Sequence, residues 1–304
     1  MIVTLGGGIG ASRLLLGLCH VIDPTDLTII VNTGDDFVLH GLTICPDLDT
    51  VTYTLAGVAD QERGWGIEDD TFHALERLGR YGREAWFNLG DRDLATHLHR
   101  TALLREGRTL SNVTEIIRRS LGVQARIVPM TNDPVPTIVL TDQGPQSFQE
   151  YLVRDKACHS VRGVRFEGIE RSRPAPGVLE AIEVAEGIII CPSNPIISLG
   201  PILAVPGIRD ALKMTEAPIV GISPVIGGRS LKGPTDKFLI GLGHEVSALS
   251  VARLYQDLLD LFIIDRADAD LLPAIEALPV KVAMADTVMR NLEAKISLAK
   301  ETLS

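Results

Sequence analysis

Four carboxylates crowd one short stretch of the chain. Asp35 and Asp36 close the string Asn32-Thr33-Gly34-Asp35-Asp36, and Asp47 and Asp49 follow in Cys45-Pro46-Asp47-Leu48-Asp49-Thr50. Acids at i and i+2 in a non-helical turn can converge on one hard cation. Mg²⁺ usually takes one or two protein carboxylates and completes its shell with phosphate oxygens. The competing structural role is helix capping, for which Asp49 stands well placed before Thr50–Leu55.

Three further strings could handle anions. In Gly6-Gly7-Gly8-Ile9-Gly10-Ala11, glycines between an apolar run and a helix let backbone N–H groups of Gly7, Gly8 and Gly10 approach a phosphate. The third position of a dinucleotide fingerprint is Ala11, and no Lys-Ser/Thr follows, so this is not a P-loop. In Cys191-Pro192-Ser193-Asn194-Pro195 two prolines hold a rigid turn, and Ser193 and Asn194 offer donors to a phosphate or a base edge. Ser193 lacks the Gly-x-Ser-x-Gly elbow of a hydrolase nucleophile. In Asn88-Leu89-Gly90-Asp91-Arg92-Asp93, Arg92 could clamp a phosphate or carboxylate, or the same residues could simply cap a helix. Trp65, between Gly64 and Gly66, is read as a loop anchor or as a platform for a flat ring. The seven histidines form no H-E-x-x-H motif; His97 and His99, two apart on a helix, do not share a face.

The elements needed to position these groups are legible as alternating strands and helices. Residues 2–5 and Leu27–Val31 are apolar strands with a helix between them. Helical spacing covers Asp69–Arg80, Asp93–Arg105 and Ser111–Leu121, with Asp69 and Ser111 as N-caps. Short strands are expected at Ile138–Leu140 and Val164–Phe166. Ile188–Ile190, Ile219–Ile222, Leu261–Ile264 and Val280–Met284 continue the alternation, and Thr287–Leu303 is the closing helix. The expected fold class is α/β: a Rossmann-like open, mainly parallel sheet in a single domain of residues 1–304, with a mainly helical insertion at about 50–125 capping the cleft. Ligands of such sheets bind beyond the carboxyl ends of the strands, so Gly6–Gly10, Asn32–Asp36 and Ser193–Asn194 should line one cleft.

Composition narrows the function classes. A formal net charge of −10 argues against nucleic acid as a partner and asks for local handling of any phosphate. Four scattered cysteines suggest neither zinc nor a disulfide framework, which fits reduced thiols in the cytoplasm. The N-terminus does not read as a signal peptide, and no apolar run is long enough for a membrane span. A homodimer is the base-rate expectation for such an enzyme.

Taken together, these strings resemble the CofD family of 2-phospho-L-lactate transferases, including its actinobacterial FbiA members. Further matching strings are His40-Gly41-Leu42, Tyr53-Thr54-Leu55, Arg63-Gly64-Trp65-Gly66, Leu89–Leu98, Ile202–Arg209 and Ser223–Gly227, in family order. The resemblance implies transfer of a phospho-acid unit from a guanosine diphosphate-linked donor to the ribityl hydroxyl of the deazaflavin Fo. The products would be F420-0 and GMP, and Mg²⁺ would be required. It assigns Asp49 and Arg92 to Fo, with Trp65 packing its ring, and Asp35, perhaps with Asp49, to Mg²⁺. Gly7, Gly8, Gly10, Ser193 and Asn194 would take the nucleotide diphosphate, and Asp36 or Asp49 the acceptor's proton. Family members use phospholactyl, phosphoenolpyruvyl or phosphoglyceryl donors, and no residue chooses among them. Two readings compete: a nucleotide-sugar-binding regulator from a related branch without transferase activity, and a nicotinamide-dependent oxidoreductase with a degenerate glycine loop.

Overall fold

The structure is a computed structural model that describes residues 1–231 and 233–304. The chain opens with β1 (Ile2–Gly6), α1 (Gly8–Leu18) and β2 (Leu27–Val31). A hairpin of β3 (Phe37–Leu39) and β4 (Leu42–Ile44) leads into four helices: α2 (Pro46–Leu55), α3 (His73–Arg80), α4 (Asp91–Arg105) and α5 (Leu110–Ser120). After β5 (Arg126–Pro129), the strands β6 (Thr137–Thr141), β7 (Gly144–Ser147) and β8 (Val161–Phe166) form a separate antiparallel sheet. Then come α6 (Val178–Glu183), β9 (Gly187–Ile190), α7 (Leu199–Ala204), α8 (Ile208–Met214) and β10 (Ile219–Ile222). A small hairpin, β11 (Val225–Ile226) and β12 (Arg229–Ser230), precedes α9 (Thr235–Gly241) and α10 (Ala248–Tyr255). The last elements are β13 (Leu261–Asp265), α11 (Leu272–Glu276), β14 (Lys281–Ala285) and α12 (Leu292–Leu303).

Seven strands make the central sheet, in the order β14-β13-β10-β9-β1-β2-β5, and every pairing is parallel. The chain winds outward from β1 through β2 to β5, then restarts on the other side of β1 with β9. The connections leaving β1 and β9 therefore diverge and open a crevice at their carboxyl ends. Parallel strands are covered on both faces, which is why Leu27–Val31 is buried throughout. Val3, Leu5, Ile188 and Ile190 face a core shared with α6, α7, α8 and α10. Ile29, Val31, Ile127 and Ile189 face the opposite core with α1, α2 and α12. Each fully buried aliphatic side chain contributes roughly 1.5–3 kcal/mol, so these two layers dominate the stability of the sheet.

The structure shifts several local expectations. Asp69 does not cap a helix; it sits at φ 53°, and α3 begins only at His73. Its cap comes from Asp91, whose carboxylate accepts the N–H groups of His73 and Ala74. In return Asp70 accepts the N–H groups of Arg92 and Asp93 at the start of α4. Two helices thus cap each other through acids that a single-helix reading assigns elsewhere. Thr109, not Ser111, caps α5, and the closing helix starts at Leu292 behind Asn291. The hairpin β3–β4 and strand β7 carry too few residues to show a period in the sequence.

Gly17 marks the tightest contact between α1 and α12: a Cβ there would lie 2.2 Å from the Lys295 carbonyl oxygen. Backbone cannot yield as a side chain does. Gly17→Ala is expected to lower stability by about 1–3 kcal/mol by overpacking, read as a lower urea midpoint at unchanged slope.

Candidate active site

A cavity of about 500 Å³ opens at the carboxyl ends of the central strands. One wall is the glycine turn, Gly7–Gly10, with Pro192–Asn194 beside it. The other is built by α2 and α4, which contribute Asp47, Asp49, Tyr53, Asp93 and His97. Ile44, Trp65 and Phe87 add apolar surface. The volume lies in the range of small-molecule sites.

The glycine turn is already bonded to the protein. Gly8 opens α1 at φ 69°, a conformation that a side chain would strain. The Gly7 N–H donates to Ser193 Oγ at 3.2 Å, and that hydroxyl donates back to the Gly7 carbonyl at 2.9 Å. Gly8 N–H donates to the Asp47 carboxylate. A Cβ on Gly7 would fall 2.0 Å from Asp47 Oδ2, and one on Gly10 would fall 2.1 Å from the Pro192 carbonyl oxygen. These glycines let two loops and an acid meet, and Ser193 clamps them. Asn194 is different. Its Oδ1 accepts from Ile196 and Ile197, which orients the amide and leaves Nδ2 with no partner among the described residues. Asn194 lines the cavity, with that nitrogen itself sealed from solvent.

The acids divide into two groups. Asp47 and Asp49 lie in the first turn of α2, not in a loop. Two residues apart on a helix, they diverge. Asp47 turns toward Asp35, and both accept hydrogen bonds from one group, Asn32 Nδ2, at 2.9 and 3.2 Å. Gln149 adds a bond to Asp35 at 3.2 Å. Burial and then the charge of Asp47 hold Asp35 well above the usual carboxylate range. Burial raises Asp47 to about 6 against the hydrogen bonds from Asn32 and Gly8. Among the described residues no cationic side chain is bonded to this buried pair, the situation that a divalent cation relieves.

Asp49 turns the other way, onto Arg100, which is 2% exposed. One guanidinium nitrogen donates to Asp49 Oδ2 at 3.1 Å, and a second contacts Oδ1. Arg100 Nη1 also lies 3.1 Å from His97 Nδ1. A guanidinium can only donate, so Nδ1 must accept and the ring proton sits on Nε2. That atom faces Asp93 Oδ2 at 3.2 Å, and the Tyr53 hydroxyl donates to Asp93 Oδ1 at 2.7 Å. Asp49, Asp93 and His97 place ligand atoms within 4.8 Å of one another, a group that could hold a metal ion. Arg100 already supplies a positive charge to Asp49.

The expected site residues therefore fare unequally. Asp35, Asp49, Trp65, Gly7, Gly8, Gly10, Ser193 and Asn194 all line the cavity. Asp36 does not; it accepts a hydrogen bond from the Cys45 thiol, its Oδ1 is sealed without a partner, and burial raises its pKa well above the usual range. Arg92 is exposed, and its guanidinium donates to the Glu68 carbonyl at 3.1 Å, away from the wall. Asp49 is not an N-cap: Cys45 holds that place, with Pro46 first in the helix. Trp65, 36% exposed, carries the Arg63 guanidinium over its ring at 5.1 Å. Reading the sequence for motifs missed Arg100 and the roles of Asp47, Asp93 and His97. Asp93, His97 and Arg100 stand at spacings of four and three, one face of a helix, and that was the available signal.

An open, doubly wound parallel sheet whose switch-point crevice carries paired carboxylates defines a Rossmann-like α/β protein built to handle a charged ligand. A family model described as 2-phospho-L-lactate transferase CofD matches residues 2–297. A phosphoenolpyruvate transferase of Streptomyces coelicolor is 45% identical, over 100% of this chain and 97% of the relative. A 2-phospho-L-lactate transferase of Methanothermobacter thermautotrophicus is 42% identical, over 99% of this chain and 96% of the relative. A crystal structure of a UPF0052 family protein from Bacillus halodurans has the same fold, with a TM-score of 0.66 at 18% identity, covering 100% of this chain and 98% of that one. The chain belongs to the CofD family. It is a phospho-acid transferase of that family, which serves coenzyme F420 biosynthesis. Among the described residues no helix is long and apolar enough to cross a membrane.

Removing Arg100 would strand a buried charge. Arg100→Met is expected to destabilise by about 3–5 kcal/mol, and adding Asp49→Asn should recover part of that loss. Urea unfolding of the two single variants and the double variant measures the coupling.

Proposed function

We propose that this enzyme transfers a phospho-acid unit from its guanosine diphosphate-linked donor to the ribityl hydroxyl of Fo. The products are F420-0, or its dehydro form, and GMP. The observation that carries this reading is the division of the cavity. One end holds the buried Asp35–Asp47 pair beside Asn194 and the glycine turn. The other is walled by Tyr53, Trp65 and Phe87, which suit a flat ring with a polar edge.

The donor set fits Mg²⁺: two hard carboxylates, with space for phosphate oxygens. Asp35 and Asp47 would hold it, in place of the expected pair Asp35 and Asp49, because Asp49 is committed to Arg100. When bound, the ion supplies charge neutralisation on the diphosphate. The chain itself orients the reactants. Asn32 holds the two acids at one spacing, and the apolar wall excludes water. The four cysteines are unpaired, which suits the cytoplasm as its compartment.

The donor is a phospholactyl, phosphoenolpyruvyl or phosphoglyceryl compound; relatives bearing the first two names lie at almost the same identity. Purified protein with Fo, Mg²⁺ and each guanylylated acid in turn should give GMP and one phosphodiester product by mass spectrometry. Absence of product with all three, together with binding of a nucleotide-sugar, would replace this reading by the regulatory one. The metal assignment has its own test without turnover. Saturating Mg²⁺ at 100 times its Kd is expected to stabilise the unsubstituted chain by about 2.7 kcal/mol, seen as a raised melting temperature. Asp35→Asn and Asp47→Asn should abolish that rise. Its persistence in both would refute the site.

A further inference from the structure

We propose that Arg13 grips the phosphate that departs with the guanosine unit. The inference rests on the transferase reading and deepens it, because it gives the leaving group a cationic partner from the chain itself.

Arg13 lies on α1, the helix that begins in the glycine turn. Ile9 and Gly10 precede it by four and three residues, so the three share one face of that helix, and all three line the cavity. Side chains on a helix tilt toward its N-terminus, which aims the Arg13 stem back at the turn. Among the described residues Arg13 is the one lysine or arginine in the cavity wall, against four aspartates, Asp35, Asp47, Asp49 and Asp93. A guanidinium stays charged at any working pH and can only donate, so its role depends on no titration.

That charge has no anion beside it. Arg13 takes part in none of the ion pairs among the described residues. Its neighbour is another cation. α12 packs so closely on α1 that a Cβ on Gly17, one turn beyond Arg13, would lie 2.2 Å from the Lys295 carbonyl oxygen. Lys295 is 7% exposed, and burial and then the charge of Arg13 lower its pKa. No acid among the described residues pairs with it either. Two neighbouring cations without an acid make a positive patch in a chain of net charge −10, a state that an incoming anion relieves.

The patch stands where the leaving group must go. In-line transfer puts acceptor and leaving group on opposite sides of the phosphorus. The α2 and α4 wall, which suits the acceptor ring, follows β2, on one side of β1. α12, the neighbour of Arg13, follows β14 at the far edge on the other side, and Ser223, Pro224, Thr287 and Met289 carry the cavity wall that way. The glycine turn follows β1, between the two.

In the transfer, the acceptor oxygen forms the new O–P bond and its proton passes to water. The P–O bond to the guanosine monophosphate unit breaks, and its electron pair stays on the departing phosphate oxygen. Arg13 donates N–H bonds to that phosphate and neither gains nor loses a proton. Charge-assisted bonds strengthen as negative charge grows on the departing oxygen, so Arg13 favours the transition state over the bound donor.

Calorimetric titration of GMP and of guanosine, at one Mg²⁺ concentration, into the unsubstituted chain and Arg13→Met tests this. Guanosine lacks the phosphate and reports the nucleoside contacts alone. Arg13→Met should weaken GMP binding by about 10–100-fold and leave guanosine affinity unmoved. In turnover, kcat/KM for the donor should fall at least as far, with KM for Fo unmoved. Arg13→Lys, which keeps the charge but not the planar fork, should fall between the two chains. Ligand-free Arg13→Met should melt no lower than the unsubstituted chain, because it loses no partner and sheds the repulsion from Lys295. Equal GMP affinity in the two chains, or equal losses for GMP and guanosine, overturns the assignment and leaves the transferase reading standing. So does an Arg13→Met chain that fails to fold or melts far lower, since that marks a structural arginine. Failure of the unsubstituted chain to bind GMP refutes the transferase reading and this assignment together.

Discussion

Asp47 and Asp49 occupy the first turn of one helix and cannot look the same way. At 3.6 residues per turn, positions two apart are rotated by about 200°. The architecture of the site follows from that constraint. Asp47 is sent to the glycine turn and Asp35, and Asp49 is sent to Arg100 and the α4 wall. One short helix thereby serves both ends of the cavity. It also holds them at a fixed separation, since an α-helix packed on α1 is stiff.

The two ends use opposite electrostatic strategies. At the glycine turn, two buried acids share one amide with no cationic side chain bonded to them among the described residues, and burial raises the pKa of both. Such an arrangement is unfavourable in isolation and becomes favourable when a cation and phosphate arrive. At the α4 wall the charges are nearly settled within the protein. Arg100 is buried and bonded to Asp49, its Nη1 lies beside His97 Nδ1, and Tyr53 donates to Asp93, whose other oxygen lies 3.2 Å from His97 Nε2. Buried groups packed and bonded in this way make a stiff wall, and a stiff wall suits a reaction that depends on positioning. The reciprocal capping of α3 and α4 by Asp91 and Asp70 extends that rigidity to the start of α4, where Asp93 sits.

The glycine turn shows how a phosphate-binding pattern can have a second cause. Gly7 and Gly10 lack side chains because Asp47 and the Pro192 carbonyl occupy the space where a Cβ would go. Ser193 is engaged at both its donor and acceptor with Gly7. Close loop packing explains these residues by itself, and among these motif residues Asn194 is the one with an uncommitted side-chain donor.

Local information in the chain determined a great deal. Apolar runs of four or five residues, bounded by glycine, proline and aspartate, located the central strands that carry the crevice, because buried parallel strands have no polar face to obscure them. The acids and the loop motifs were visible as clusters at strand ends. What the sequence could not determine was direction and partnership. Whether Asp47 lies in a turn or a helix decides whether it joins Asp49 or leaves it, and Pro46 at the first helical position settles that only once the chain is folded. Arg100 stands far along the chain from Asp49, and Arg92 is nearer to the acidic strings, yet burial selects Arg100 and leaves Arg92 at the surface. Which acid meets which base is a long-range contact set by how α4 packs on the β3–β4 hairpin and α2, and only the tertiary structure decides it.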